Sequence, residues 1–488
     1  MRELRSLLSG DDRLFGLAEL ASALQSKVED GSGGDIPIRG VTVDSRATHP
    51  GDLFVALEGA ESDGHGYLAD ARARGAVAAL ISSRSSVPVD PSFPVIRVDD
   101  TLFALGEAAR WHRGRFDVPV VAVTGSVGKT TTKDMIAGVL SDLGPVLKNP
   151  GNFNTEIGTP LTLLGLGSGH RAAVMEIGMR KPGDVRYLAR IIRPEVGVLT
   201  NVRESHLEFF GCVENLARSK GELFAALPAG GWSVINGDDP WGPSMAGTGA
   251  ERTVYYHPEG PPSLDGSRRL WGEDVRLDGE SRASFVLRDE NGLRLPVRLP
   301  LPGRHHVANA LAAAGVGFAL ALDPGAVRRG LETFEATEMR SQWMRCGPVT
   351  ILNDAYNSSP TSCAAALETL AGTRPEGRRV ALLGPMLELG CQEVPGHRAT
   401  GRLVSELGID TLITAGSPAE LIGEEARSAG MDGANCRHFA DLEAGISSVP
   451  DLLCPGDIIL VKASRSCRFE RFVDAICRVF DSEEGAPR

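Results

Sequence analysis

The sequence predicts an α/β protein of three domains, and three observations carry the prediction. Apolar, β-type runs alternate with helical stretches from Asp117 to about residue 338. The alternation starts again after Arg340 and continues almost to the C-terminus. The chain has 488 residues, room for about three domains at ~150 residues each. The expected architecture is a central parallel sheet of P-loop type with flanking helices, a C-terminal Rossmann-like α/β domain and a smaller N-terminal α/β domain. Boundaries are placed at 1–114, 115–338 and 339–488.

In the first unit, IRGVTVDSR, GDLFVAL and AVAALIS are short strand-type runs bounded by turn residues. RSSVPVDPSFP is a Pro/Ser loop, and TLFALGEAARWHRGR is a helix leading to Asp117-Val118-Pro119. VPVVAVTG then reads as a strand buried on both faces. The helix after Gly128 carries Met135, Ile136, Val139 and Leu140 at helical spacing. AAVMEIG, VGVLTN and WSVING repeat the strand theme with helices between them, which implies parallel pairing. Residues 252–300 break the pattern and read as an antiparallel edge meander. LPGRHHVANALAAAGVGFAL returns to helix. In the third unit, GPVTILND, RRVALLG, DTLITAG and GDIILVK are strands and TSCAAALETLA is a helix, giving a second α/β sheet.

Composition excludes several classes. A formal charge of −12 argues against a protein that neutralises many phosphates of a nucleic acid. No run of ~18 apolar residues suggests a membrane span, and the charged N-terminus lacks a signal-peptide core. The eight cysteines are scattered without a C-x-x-C pair, so ordinary thiols are expected in a cytoplasmic, monomeric protein. Only seven of the 51 basic residues are lysines, which draws attention to each of them.

The sharpest motif is Thr124-Gly125-Ser126-Val127-Gly128-Lys129-Thr130, between a buried strand and a helix. Glycines let backbone N–H groups curl around phosphate oxygens, and a helix N-terminus adds partial positive charge. Lys129 suits the β/γ-phosphates and Thr130 suits Mg²⁺. Val123 stands where the eight-residue loop has Gly, so the spacing is the shorter G-x-x-G-K-T. Glu176 and His206 each follow a strand and share the rim where open parallel sheets bind ligands. Glu176 reads either as a Mg²⁺ ligand or as a helix-capping acid, and His206 as a ligand or a structural histidine. Lys220 borders the apolar face of Leu216, Leu223 and Phe224, where a snorkelling lysine is the plainer reading. Asp354, Tyr356 and Asn357 follow a strand of the third unit, at a second such rim or in a simple turn. Lys462, Ser464, Arg465 and Ser466 would suit an anion, or cap the last helix.

These pieces, in this order, resemble the Mur ligase family of ATP-dependent amide-forming enzymes over nearly the whole chain. VDSRATHPGDLFVALEGAESDGH is similar to the family's UDP-sugar segment, which implies Ser45, Arg46, Asp63, Gly64 and His65 near that substrate. TGSVGKTTTK resembles the ATP loop, implying Thr124, Gly125, Ser126, Val127, Gly128, Lys129, Thr130 and Thr131 around the nucleotide. GNFNTEIGTPLTLL is a further shared block. Glu176 and His206 match the family's Mg²⁺-handling residues, and Lys220 matches a lysine often carbamylated. The implied metal set is Thr130, Glu176, His206 and carbamylated Lys220, for two Mg²⁺ sites. Lys129, Glu176, His206 and Lys220 are then the catalytic set. Asn309 falls on the purine side, and Arg340, Asp354, Tyr356 and Asn357 close over ATP.

The resemblance implies an ADP-forming ligase that joins D-alanyl-D-alanine to a UDP-N-acetylmuramoyl tripeptide through an acyl phosphate, in peptidoglycan precursor synthesis. The three domains would take UDP-sugar, ATP and dipeptide in turn. Two alternatives stand beside it: a folylpolyglutamate-type ligase with another amino-acid substrate, and a non-catalytic nucleotide-binding regulator. The UDP-type segment argues against the first; Lys129, Glu176, His206 and Lys220 together argue against the second. The D-N-P-R motif of the diaminopimelate-adding relative is absent. The chain departs from the family at His306, at Pro385 and in Asn357-Ser358-Ser359-Pro360.

Overall fold

The computed structural model describes residues 13–29, 35–59, 62–204, 207–261 and 263–483. Its three large sheets follow one another along the chain. Between residues 28 and 98 a five-stranded sheet forms in which Gly40–Thr42, Asp52–Val55, Ala78–Ser82 and Val95–Val98 run parallel. The short strand Val28–Glu29 is antiparallel at its edge. The helix Thr101–Arg113, capped by the Asp100 carboxylate on the Phe103 N–H, leads out of it.

The central sheet has nine strands. Val120–Thr124 lies inside, flanked in parallel by Ala172–Glu176 and Val196–Leu199. The chain therefore leaves that strand, runs to the edge at Val146–Lys148, and returns on both sides of it in turn. This is the topological switch point at which open sheets bind ligands beyond the strand C-termini. Val120, Val121, Ala122 and Val123 are fully buried, as a strand covered by helices on both faces requires. Each of the valines contributes on the order of 1.5–3 kcal/mol by leaving water.

The break expected at residue 252 comes later. Arg252–His257 still pairs in parallel with both its neighbours, and the antiparallel meander runs through Arg268–Leu277, Arg282–Asp289 and Arg294–Pro302. The meander extends the central sheet because its inward residues Leu270, Phe285, Leu287, Val297 and Leu299 join the same core as helices Lys129–Leu140 and His306–Ala319. Periodicity signals the antiparallel strands, but not the neighbour on which they lean.

The C-terminal sheet has six strands, parallel apart from the edge strand Gln342–Cys346. Val349–Asn353, Ile458–Lys462 and Arg379–Leu383 lie side by side, so their C-terminal ends share one rim. The expectation of ordinary thiols fails for one pair: Cys346, on the edge strand, is joined to Cys477 of the last helix, Glu470–Glu483. They are 131 residues apart in sequence, and only the packing of that helix on the sheet brings them together. Among the described residues, no helix is long and apolar enough to cross a membrane.

Candidate active site

The phosphate-type loop joins the strand Val120–Thr124 to the helix Lys129–Leu140. Gly125 and Gly128 have φ of +151° and +84°, which side-chain-bearing residues rarely adopt. A Cβ at Gly125 would lie 1.9 Å from the Thr200 hydroxyl. The loop is held from below by the next strand's exit: the Asn201 amide oxygen accepts from the Val127 N–H at 3.0 Å, and the Thr200 hydroxyl donates to the Val127 carbonyl at 2.7 Å. Ser126 is tied to Arg203, its hydroxyl donating to the Arg203 carbonyl and accepting from the Arg203 N–H. Lys129 folds back so that its Nζ donates to the Gly125 and Ser126 carbonyls at 3.0 and 3.2 Å.

Glu176 ends the neighbouring strand and is almost fully buried. It is not a helix cap. The Thr130 hydroxyl donates to its Oε2 and the Asn154 amide to its Oε1, both at 2.8 Å. Asn149 grips its backbone, accepting from the Glu176 N–H and donating to the Glu176 carbonyl. Asn149, just before the block GNFNTEIG, and Asn154 within it thus bracket Glu176, a role that needs contacts across sequence gaps of 22 to 27 residues.

Lys220 does not snorkel. Its side chain is 2% exposed, and no hydrogen bond or ion pair reaches it among the described residues. Burial, with Lys129 nearby, pushes its amine well below the usual lysine range. Burial also lowers Lys129, partly opposed by Glu176.

The facing wall belongs to the C-terminal unit. Arg340 stacks over the Tyr356 ring at 4.0 Å, and burial raises the Tyr356 phenol. Asp354 pairs with the buried Lys462 at 2.5 Å and also accepts from the Ser341 N–H. Lys462 donates further to the Asn357 carbonyl at 2.8 Å. The Asn-Ser-Ser-Pro turn starts a helix, Ser359 capping Pro360–Ala371, and residues 357–359 also line the cleft. Arg465 pairs with Glu470 at 2.7 Å, and the Ser464 hydroxyl accepts from the Leu387 N–H.

One cavity of about 550 Å³ lies between these walls. It is lined by Gly125–Thr131, Glu176, Lys220, Asn309, Arg340, Asp354, Tyr356 and Asn357, together with Lys462 and Ser464–Ser466. Thr124, by contrast, is buried in the strand beneath the loop. His305 and His306 lie on the same lining with tilted rings whose centres are 4.0 Å apart, and burial holds His305 down at about 4. Asn309 reaches up under Gly128 and its amide contacts His306 Nδ1 at 3.1 Å. His206 lies outside the described residues.

The five candidates of the first unit do not line this cavity. Ser45 and Arg46 follow the strand Gly40–Thr42, and Asp63–His65 come after Asp52–Val55, so both groups occupy the C-terminal side of that sheet. Arg46 is held by Asp44 at 2.9 Å. His65 is buried with both ring nitrogens engaged, Nδ1 by Asp63 at 2.6 Å and Nε2 by the Ser82 N–H at 2.8 Å. Gly64 packs on Leu57, whose N would lie 2.8 Å from a Cβ there. Asp63 and His65 therefore brace that rim.

Residues 37–113 match the Mur ligase family catalytic domain, 123–317 the Mur ligase middle domain and 339–465 the Mur ligase glutamate ligase domain. The chain belongs to the Mur ligase family, with its three-domain architecture.

Among its relatives, the UDP-N-acetylmuramoyl-tripeptide–D-alanyl-D-alanine ligase of Escherichia coli is 34% identical, over 94% of this chain and 98% of the other. The enzyme of the same name from Synechocystis is 37% identical, covering 88% and 90%. MurF from Acinetobacter baumannii superposes with a TM-score of 0.84 at 27% identity, over 96% of this chain and all of that one. MurF ligase from Thermotoga maritima, solved in complex with ADP, gives 0.77 at 28% identity, over 92% and 98%.

Proposed function

We propose that this chain is an ATP-dependent, ADP-forming ligase that adds D-alanyl-D-alanine to UDP-N-acetylmuramoyl tripeptide in peptidoglycan precursor synthesis. Residues 1–114 hold the UDP-sugar end, with Ser45 and Arg46 toward it and Asp63, Gly64 and His65 bracing its rim. Residues 115–338 hold ATP on the loop Thr124–Thr131, with Asn309 beneath it. Residues 339–488 close over the nucleotide through Arg340, Asp354, Tyr356 and Asn357 and hold the dipeptide. The observation that carries the reading is the single cavity onto which the loop, Glu176, Lys220 and the Arg340–Tyr356 clamp all open.

The tripeptide's terminal carboxylate attacks the γ-phosphorus of ATP, and the bond to the β,γ-bridging oxygen breaks to release ADP. Backbone N–H groups of the loop and the Lys129 ammonium stand where charge grows on the transferred phosphoryl group. The dipeptide amine then attacks the acyl carbon, loses a proton, and inorganic phosphate leaves. Domain closure keeps water from the acyl phosphate.

The Thr130 hydroxyl and Glu176 carboxylate, side by side under the loop, are the hard oxygen donors that Mg²⁺ prefers. His206 joins them by its place in the family motif. Bound there, Mg²⁺ supplies charge neutralisation for the phosphates. Lys220 is suited to the second metal position: burial, with Lys129 nearby, favours its neutral amine, which would add CO₂ and release a proton to become a carbamate, a carboxylate-like anion.

The test is phosphate release from ATP with UDP-N-acetylmuramoyl tripeptide, with and without D-alanyl-D-alanine. Release that requires both supports the reading. Turnover with a single amino acid in place of the dipeptide overturns it.

A further inference from the structure

The central and C-terminal sheets are joined by residues 334–341, and both ends of this linker are tied down. At the near end Phe334 packs against helix Lys129–Leu140, so closely that a Cβ at Gly138 would lie 2.6 Å from the Phe334 Cβ. Three residues on, Thr337 donates twice to Oδ2 of Asp134, from its N–H at 2.9 Å and its hydroxyl at 2.7 Å. Asp134 is 1% exposed and sits on the helix that begins with Lys129 and Thr130. Its other oxygen accepts from Lys148 at 2.8 Å. The adjoining Lys133 is buried and donates to the Asn149 carbonyl at 2.7 Å, and Asn149 is the residue that grips Glu176.

At the far end, the Ser341 N–H is bound by Asp354 and the next residue, Gln342, enters the edge strand opposite Asn353. Only Glu338, Met339 and Arg340 lie between the two anchors. Met339 and Ser341 both have left-handed backbone, φ +57° and +48°, an arrangement that persists for such residues only where the surroundings impose it. Arg340 therefore rides on a three-residue segment fixed to the nucleotide domain by Asp134 and to the C-terminal unit by Asp354, with the Met339 backbone bonded to Gln342 and Tyr356.

We propose that the Asp134–Thr337 clasp is the pivot between the nucleotide domain and the C-terminal domain, and that it sets the Arg340 guanidinium over the nucleotide. Asp134 and Thr337 are positioning residues that act through Arg340. The inference rests on nucleotide occupying the cavity described above. A carboxylate doubly bonded to the linker fixes where the rotation begins, and an error of ~1 Å at such a point is amplified at the group it carries.

The experiment is a double-mutant cycle read by calorimetry with the non-hydrolysable β,γ-imido analogue of ATP and Mg²⁺. Thr337→Val, which keeps shape and loses the hydroxyl bond, should weaken binding about fivefold in the wild-type background. The same change should have under about a twofold effect in an Arg340→Ala background. Thr337→Ser, which keeps the hydroxyl, should bind as wild type does. Asp134→Asn should repeat the Thr337→Val pattern in both backgrounds. Equal losses with and without Arg340, or no loss from Thr337→Val, would overturn the clasp. If the wild-type chain fails to bind the analogue, the nucleotide reading itself falls, and the clasp with it.

Discussion

Lys220 stands in an environment that opposes its charge. A lysine this deeply enclosed, with Lys129 nearby and Asp239 only partly offsetting, holds its proton less tightly than in water, and that cost is carried by the folded state. The sign follows from its direction of shift. Unfolded, the amine is protonated below its ordinary value of 10.5; folded, it stays neutral until well below that. Folding thus releases a proton, and the penalty is present at neutral pH and fades as pH rises toward 10.5. Lys220→Met should therefore raise the melting temperature at pH 7 in bicarbonate-free buffer, by a margin that shrinks in scans at higher pH. Turnover of the same variant should drop by more than about a hundredfold. Near-normal turnover would remove Lys220 from the role assigned to it, and a lower melting temperature at pH 7 would refute the penalty of the buried charge. Asn154 presents the complementary case, a neutral side chain whose work is to aim Glu176. Asn154→Ala should increase the Mg²⁺ concentration needed for half-maximal turnover by roughly 10–100-fold, as loss of a partner that orients a ligand generally does. A Mg²⁺ titration of initial rates measures this directly.

Among the elements, the turn from strand Val120–Thr124 into helix Lys129–Leu140 bears the heaviest steric demand. Gly128 combines φ of +84° with an Asn309 oxygen 2.7 Å from where a Cβ would stand. Gly128→Ala should cost about 1–2 kcal/mol in backbone strain, seen in denaturant unfolding, and should weaken nucleotide binding as the loop shifts. Lys129→Ala should leave the unfolding midpoint close to wild type, because burial already opposes that charge, while abolishing turnover. This turn was legible from sequence because everything in it is local: two glycines, a lysine and a helix start within a few residues. Glu176 was legible as a rim carboxylate at the end of an apolar run. Its brackets, Asn149 and Asn154, were not, since a shared block of sequence says nothing about which side chain faces which. The strand Arg252–His257 was missed as a parallel strand because parallel and antiparallel pairing leave similar marks in so short an apolar run.

For the molecule as a whole, the cavity lies between two sheets that each turn the C-terminal ends of their strands toward it. A ligand held by both walls stabilises the joined form by mass action, about 2.7 kcal/mol at a hundred times its dissociation constant. The wild-type melting temperature should accordingly rise with the ATP analogue and Mg²⁺. Arg340→Ala, which removes a wall contact but no core packing, should keep the unliganded melting temperature and lose most of that rise. A thermal-shift series over analogue concentration distinguishes the two.

By itself the sequence determined the α/β class, the phosphate loop, the family's motifs and the side of each sheet on which they fall. These follow from strand and helix periods and from turns, which short stretches of chain specify unaided. Tertiary structure alone decided that Lys220 is buried, that Asp134 reaches Thr337 across 203 residues, and that Cys346 meets Cys477. It also decided that His65 is spent on Asp63 and Ser82. Desolvation and pairing of this kind depend on which surfaces pack together, and that is fixed only when helices and sheets from distant parts of the chain share one core.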